Sequence, residues 1–275
     1  MTMTSVTDTA PAATGTTISG SAAVGLPRRS WVEHIMGLPI SVHVRGDAAT
    51  SAGVERAVCT LYESLRQVDE RFSPYRPDSE VSAIRRGEPP TSSAELLEIR
   101  ALCAQAHGRT DGAFDAELPG GFDPSGLVKG WAVERATRPL REAAAGSDWL
   151  VNAGGDILLH AEPGRTWQVG VEDPGNLNRT LRTFALSHGA IATSGDARRG
   201  AHITDPRTGR PADSGVRSAT VIAPTLLWAD VYATAAYVRG LASLPWLVRE
   251  RGVRVLFVRA DGSRISTLSR PEDRG

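Results

Sequence analysis

An aspartate and a threonine interrupt the apolar run Trp228-Ala229-Asp230-Val231-Tyr232-Ala233-Thr234-Ala235, four positions apart and so on one face if the run is helical. A carboxylate on an otherwise apolar helix must be paired, neutralised or bound to a metal, because burying it alone is costly. A carboxylate and a hydroxyl are hard oxygen ligands that suit Mg²⁺. The competing account is an aspartate favoured by the helix dipole and a threonine bonded back to a carbonyl one turn earlier. In Asp123-Pro124-Ser125-Gly126-Leu127-Val128-Lys129-Gly130 a loop runs into a helix with Lys129 in its first turn. Open backbone N–H groups and a lysine suit a phosphate, although a solvated lysine at a helix start is the simpler account. The glycine spacing there is not that of a P-loop.

Asn152-Ala153-Gly154-Gly155-Asp156 follows a strand but leads into Ile157-Leu158-Leu159-His160, another strand, so a Rossmann fingerprint is excluded. It reads as a tight hairpin turn, or as glycines that let a ligand approach the backbone. Thr193-Ser194-Gly195-Asp196 lies close in sequence to the segment His202 to Pro211, which is turn-rich and dense in charge. Solvated turn arginines are one account of it. A diphosphate site is the other.

The elements that must position these residues follow from periodicity. Trp31 to Arg45 reads as a strand pair around Gly37 and Pro39. Val54, Ala57, Val58, Leu61, Leu65 and Val68 recur at helical spacing, with Asp47 or Thr50 as the cap. A second helix is expected from a Ser92/Glu95 capping box to Gly108, and a third over Leu127 to Ala145. Five short strands between Trp149 and Thr193 suggest an antiparallel meander. The last third reads as a strand (Ser218 to Ile222), a long helix (Thr225 to Val238), a short helix (Leu244 to Arg251) and a strand pair (Val253 to Val258, Arg264 to Leu268). Helices in blocks between groups of strands give an α+β class, not a doubly wound sheet.

The 275 residues carry 31 basic and 31 acidic side chains, which leaves no net positive field to attract nucleic acid or an acidic membrane. Cys59 and Cys103 lie in helical segments without metal-ligand spacing and are expected to be buried thiols. Residues 1–30 read as a disordered tail and 31–270 as one domain. With no signal-peptide pattern and no membrane-length apolar run, the expected location is cytoplasmic.

Taken in order, several segments resemble the ApbE family, the FAD:protein FMN transferases. They are Met36-Gly37, Phe72-Ser73-x-Tyr75, Thr110 to Asp115, Asp123-x-x-Gly126-x-x-Lys129-Gly130, Asn152-x-Gly154-Gly155-Asp156, Ala192 to Asp196, His202 to Pro211 and Ala229-Asp230-x-x-Ala233-Thr234-Ala235. The resemblance implies a fold of two related α+β halves with mostly antiparallel sheets, T-fold-like, and an FAD site between them. It implies an FAD site touched by Met36, Tyr75, Ala113, Phe114, Asp115, Asp123, Lys129 and Thr204, with Mg²⁺ held by Asp230, Thr234 and the Gly126 carbonyl. Where some members supply a further acidic ligand, this chain has Ala233. The span between Asp115 and Asp123 is also shorter than in many relatives.

The implied reaction is transfer of FMN from FAD to a Thr or Ser hydroxyl of an acceptor protein, with release of AMP. His202 is the candidate base because imidazole titrates near neutrality, with Asp205, Asp230 and a metal-bound oxygen as alternatives. A Mg²⁺-dependent FAD pyrophosphatase and a non-catalytic FAD-binding protein are the rival readings.

Overall fold

The computed structural model describes residues 18–21, 25–89, 93–198 and 200–267. Strand β1 (Ile18–Ser21) lies within the stretch expected to be a tail, as does the start of β2 (Arg28–Ile35). β2 turns through Met36 and Gly37 into β3 (Leu38–Arg45), which buries Ile40, Val42 and Val44 on one face. Helix α1 (Ala52–Phe72) is capped by Ser51, whose hydroxyl accepts from the Val54 N–H. Asp47 and Thr50 belong instead to a 3-10 turn just before it. Cys59 is exposed, contrary to expectation: it follows the buried Ala57–Val58 pair and falls on the outer face of α1. Cys103 is buried, and burial pushes its thiol up to about 12.

A short helix not foreseen in the sequence, α2 (Glu80–Arg85), comes next. It is followed by α3 (Ala94–Arg109), capped by Ser93, whose hydroxyl accepts from Leu96 N–H. The expected cap, Ser92, lies outside the described residues. After the two-residue strands β4 (Glu117–Leu118) and β5 (Gly121–Phe122), the single helix expected over 127–145 is two, α4 (Ser125–Ala136) and α5 (Arg138–Ala143). Pro139 has no N–H to continue the ladder, so the helix breaks at Thr137.

The remaining elements are β6 (Asp148–Ala153), β7 (Asp156–His160), β8 (Thr166–Asp173), β9 (Asn176–Leu186), β10 (His188–Gly195), the two-residue strands β11 (Thr204–Asp205) and β12 (Arg210–Pro211), β13 (Val216–Ala223), α6 (Leu226–Arg239), α7 (Leu244–Leu247), β14 (Arg254–Arg259) and β15 (Arg264–Ser266). The expected helix from Leu244 to Arg251 shrinks to α7, and Leu268 lies outside the described residues.

Eight strands form one sheet in chain order, β2-β3-β6-β7-β10-β13-β14-β15, and every pairing in it is antiparallel. The expected meander is therefore interrupted, because β8 and β9 leave it and pair with each other and with β1 in a second sheet. The large sheet splits into two similar halves. Each is a strand pair, a helical segment and a second strand pair: β2-β3, α1 to α5, β6-β7, then β10-β13, α6, β14-β15. This bears out the α+β class with two related halves.

The alternation of side chains along the large sheet makes two cores. Val151, Leu158, Ala190, Val221 and Phe257 face the helices, while Leu150, Ile157, Leu159, Ile191, Ile222 and Leu256 pack with Trp167, Val169 and Phe184 of the small sheet. Among the described residues no helix is long and apolar enough to cross a membrane.

Candidate active site

The two halves meet along β7 and β10, and their helices α4 and α6 meet above that seam. Close approach of the helices depends on Gly130, where a Cβ would fall 2.7 Å from Leu227 Cα and 2.9 Å from the Leu226 carbonyl oxygen. Glu134 of α4 joins the same contact by accepting from Leu227 N–H at 3.0 Å. Packed this way, α4 presents Lys129 towards Asp230 of α6, and the four-residue spacing sets Thr234 on the same face of α6 as Asp230.

The result is a buried charge cluster. The Lys129 ammonium donates to Asp156 Oδ2 and stands 3.3 Å from Asp230 Oδ2. Asp156 is 5% exposed and Asp230 also 5%. The second oxygen of Asp156 accepts from Thr193 N–H at 3.0 Å, and Ser194 Oγ lies 3.2 Å from Thr234 Oγ1. Burial alone would lower the Lys129 pKa, but the Asp156 and Asp230 carboxylates outweigh it and hold the ammonium above the usual lysine range.

This cluster forms part of the wall of a cavity of about 430 Å³. Met36, Tyr75, Ala113, Phe114, Asp115, Asp123, Gly126, Lys129, His202, Thr204, Asp230 and Thr234, all singled out from the sequence, line that one cavity. Met36 sits in the β2–β3 turn at a φ of 57, a left-handed conformation uncommon for a side-chain-bearing residue and one that concentrates near sites. Tyr75 is 90% exposed at the rim. Asp115 is held by Glu117 N–H at 2.9 Å and by His107, whose Nδ1 lies 3.3 Å from it. Asp123 receives Ser125 N–H at 3.0 Å and a guanidinium N–H of Arg85 at 2.9 Å, so the unforeseen helix α2 serves to fix a cavity carboxylate.

The Gly154-Gly155 pair is both of the things its sequence suggested. It is a two-residue hairpin turn with φ of 65 and 105, pinned by Asn152 Oδ1 accepting from Gly155 N–H, and Gly154 lines the cavity.

The dense charge of the 202–211 segment is only partly turned to the site. Arg207 pairs with Asp205 at 2.7 Å, and the hydrogen bond from Arg207 holds the Asp205 carboxyl below its usual range. Neither lines the cavity, nor does the exposed Arg210. The cavity's arginine is Arg198, bound through two nitrogens to Glu172. His202 does line it, and its Nδ1 lies 2.9 Å from the Gly200 carbonyl oxygen. A carbonyl only accepts, so Nδ1 is the donor of this contact and Nε2 is the ring nitrogen left to act on a substrate.

Sequence reasoning gave no role to Asp156, Ser194 or Arg198, all of which line the cavity. The signal for Asp156 was present: it is an aspartate opening the apolar strand Ile157-Leu158-Leu159.

The model of the ApbE family matches residues 36–120 and 118–257. The chain belongs to the ApbE family. Among curated relatives, a protein of Salmonella typhimurium named FAD:protein FMN transferase is 31% identical over 162 residues, 54% of this chain and 46% of that one. The chain thus spans about half the length of the first curated relatives it matches. A Vibrio cholerae protein of the same name is 27% identical over 267 residues, covering 74% of this chain and 76% of its own. In structure, the ApbE protein of Thermotoga maritima superposes with a TM-score of 0.75 at 24% identity, over 87% of this chain and 96% of that one. That likeness speaks to the ApbE fold.

Proposed function

We propose that this chain is a Mg²⁺-dependent transferase that moves FMN from FAD onto a Thr or Ser hydroxyl of an acceptor protein and releases AMP. The observation that carries this reading is the Asp156–Lys129–Asp230 cluster, set beside two hydroxyls in a cavity whose rim holds Met36 and Tyr75. The names of the ApbE relatives agree with it.

The metal ligands are Asp230, Thr234 and the Gly126 carbonyl. A divalent cation fits this donor set, because Asp230 is buried and already faces a cation, the Lys129 ammonium at 3.3 Å. When bound, Mg²⁺ supplies positive charge against the diphosphate. Lys129 adds a second cation against phosphate charge that builds in the transition state. Met36, Tyr75, Ala113, Phe114, Asp115, Asp123 and Thr204 bind and orient FAD. The acceptor oxygen forms a bond to the FMN-side phosphorus, the bond from that phosphorus to the bridging oxygen breaks, and AMP departs with that oxygen. His202 Nε2 takes the hydroxyl proton. Asp205 is the weaker candidate base, since Arg207 occupies its carboxylate. Residues 31–270 act as one flavin-handling domain.

The test is to add the purified protein, FAD and Mg²⁺ to lysate of the source cell lacking this gene, then look for flavin fluorescence on a denaturing gel. A fluorescent band that requires Mg²⁺ and disappears with Asp230→Ala, while that variant keeps the wild-type circular dichroism, is the expected result. AMP and FMN accumulating with no band would identify an FAD pyrophosphatase instead. Tight FAD binding with neither band nor AMP would identify a binding protein.

A further inference from the structure

Asp156 and Asp230 come from different halves of the molecule, one at the start of β7 and one on α6. Two ionised carboxylates buried side by side repel each other, and a low-dielectric wall strengthens that repulsion, so a cation between them stabilises the pair. Lys129 supplies it, and its two contacts are unequal. Its Nζ donates a close hydrogen bond to Asp156, while Asp230 Oδ2 is 3.3 Å away. Asp156 is further fixed by Thr193 N–H, whereas Asp230 sits one helical turn from Thr234 and its hydroxyl. The loose side of the ammonium is therefore the side that carries the metal ligands, and its tight side is anchored elsewhere.

We propose that Lys129 is the built-in counter-ion of the divalent-cation site: it bridges Asp156 and Asp230 in the metal-free protein and gives up its place at Asp230 when the metal binds. The inference rests on the metal reading given above. The lysine's four-carbon stem lets the ammonium withdraw while it remains tied to Asp156. Asp156 is thus a positioning residue, which keeps the displaced ammonium at the cavity wall next to the metal. The arrangement also suits a chain with Ala233, since the second buried carboxylate near the cation comes from β7 and not from α6.

The test is Mn²⁺ binding to the full chain without FAD, read by the electron paramagnetic resonance of free Mn²⁺. Removing the competing ammonium in Lys129→Met should tighten Mn²⁺ at least about tenfold, and Lys129→Gln, which can still hydrogen-bond both carboxylates, should do likewise. Saturating Mn²⁺ should also raise the melting temperature of either variant by more than it raises the wild type's. Adding Asp230→Asn to Lys129→Met should abolish the gain. Wild-type binding with no tighter binding in either variant overturns the counter-ion role and leaves the metal site standing. A lysine that is only structural would lower the melting temperature without moving the affinity. If no protein binds Mn²⁺, the metal reading and this inference fall together.

Discussion

His43, on β3, points away from the helices, and its Nε2 lies 3.0 Å from Ser41 Oγ. Burial lowers its pKa from an ordinary 6.5 to about 4. Between those values the unfolded chain holds a proton that the folded chain does not, so stability falls as pH drops from 6.5 towards 4. Allowing for partial exposure, His43 should account for about 2 kcal/mol of the loss between neutrality and the lower end of that window. Urea unfolding at neutral pH and near pH 4.5 checks this: His43→Gln should lose less stability than the wild type by about that amount. At the same scale, residue types and motif order were enough to pick out twelve of the residues that line the cavity. They were not enough to pair them. Asp156 was visible as a motif residue, but its ion pair with Lys129 spans 27 positions and no local pattern encodes it.

Helices α4 and α6 act as the jaws of the site, and Gly130 sets their separation. In Gly130→Ala the added Cβ has only backbone to push against, at 2.7 to 2.9 Å, so the helices must part. The expected cost is about 2–3 kcal/mol, seen as a lower melting temperature, together with loss of AMP release as α4 carries the Gly126 carbonyl away from Asp230 and Thr234 of α6. The helices themselves were legible because capping serines and apolar spacing are local signals. Their ends were less so. Asp47 and Thr50 looked like caps for α1, but Ser51, immediately before the helix, made the bond; α4 and α5 looked continuous until Pro139 was considered as a missing donor.

Across the whole molecule, a buried network ties the large sheet to the small one. Arg45 of β3 donates to Asp148 of β6 at 2.5 Å and to the Thr166 carbonyl of β8 at 2.6 Å, and its guanidinium lies over Trp167 at 4.0 Å. Asp148 also accepts Glu162 N–H at 2.8 Å. Asp148→Ala leaves the Arg45 charge buried without its carboxylate and should cost about 3–5 kcal/mol in urea unfolding. The proposed metal ligands lie on α4 and α6, and none of them takes part in this network, so Mn²⁺ binding at temperatures below the transition should persist.

By itself the sequence determined the long helices, most strands of the large sheet, the α+β class, and which polar residues stand in places where polarity is expensive. Those are local properties: side-chain period, caps, turn residues and an aspartate in an apolar helix. The tertiary structure decided that the strands after β7 divide between two sheets, that Cys59 faces outward, and that Arg207 is spent on Asp205 while Arg198 reaches the cavity. It also decided that Lys129, Asp156 and Asp230 share one buried cluster. Each of these depends on contacts between segments distant in the chain, where the energy lies in packing and buried charge and not in the preference of any one segment.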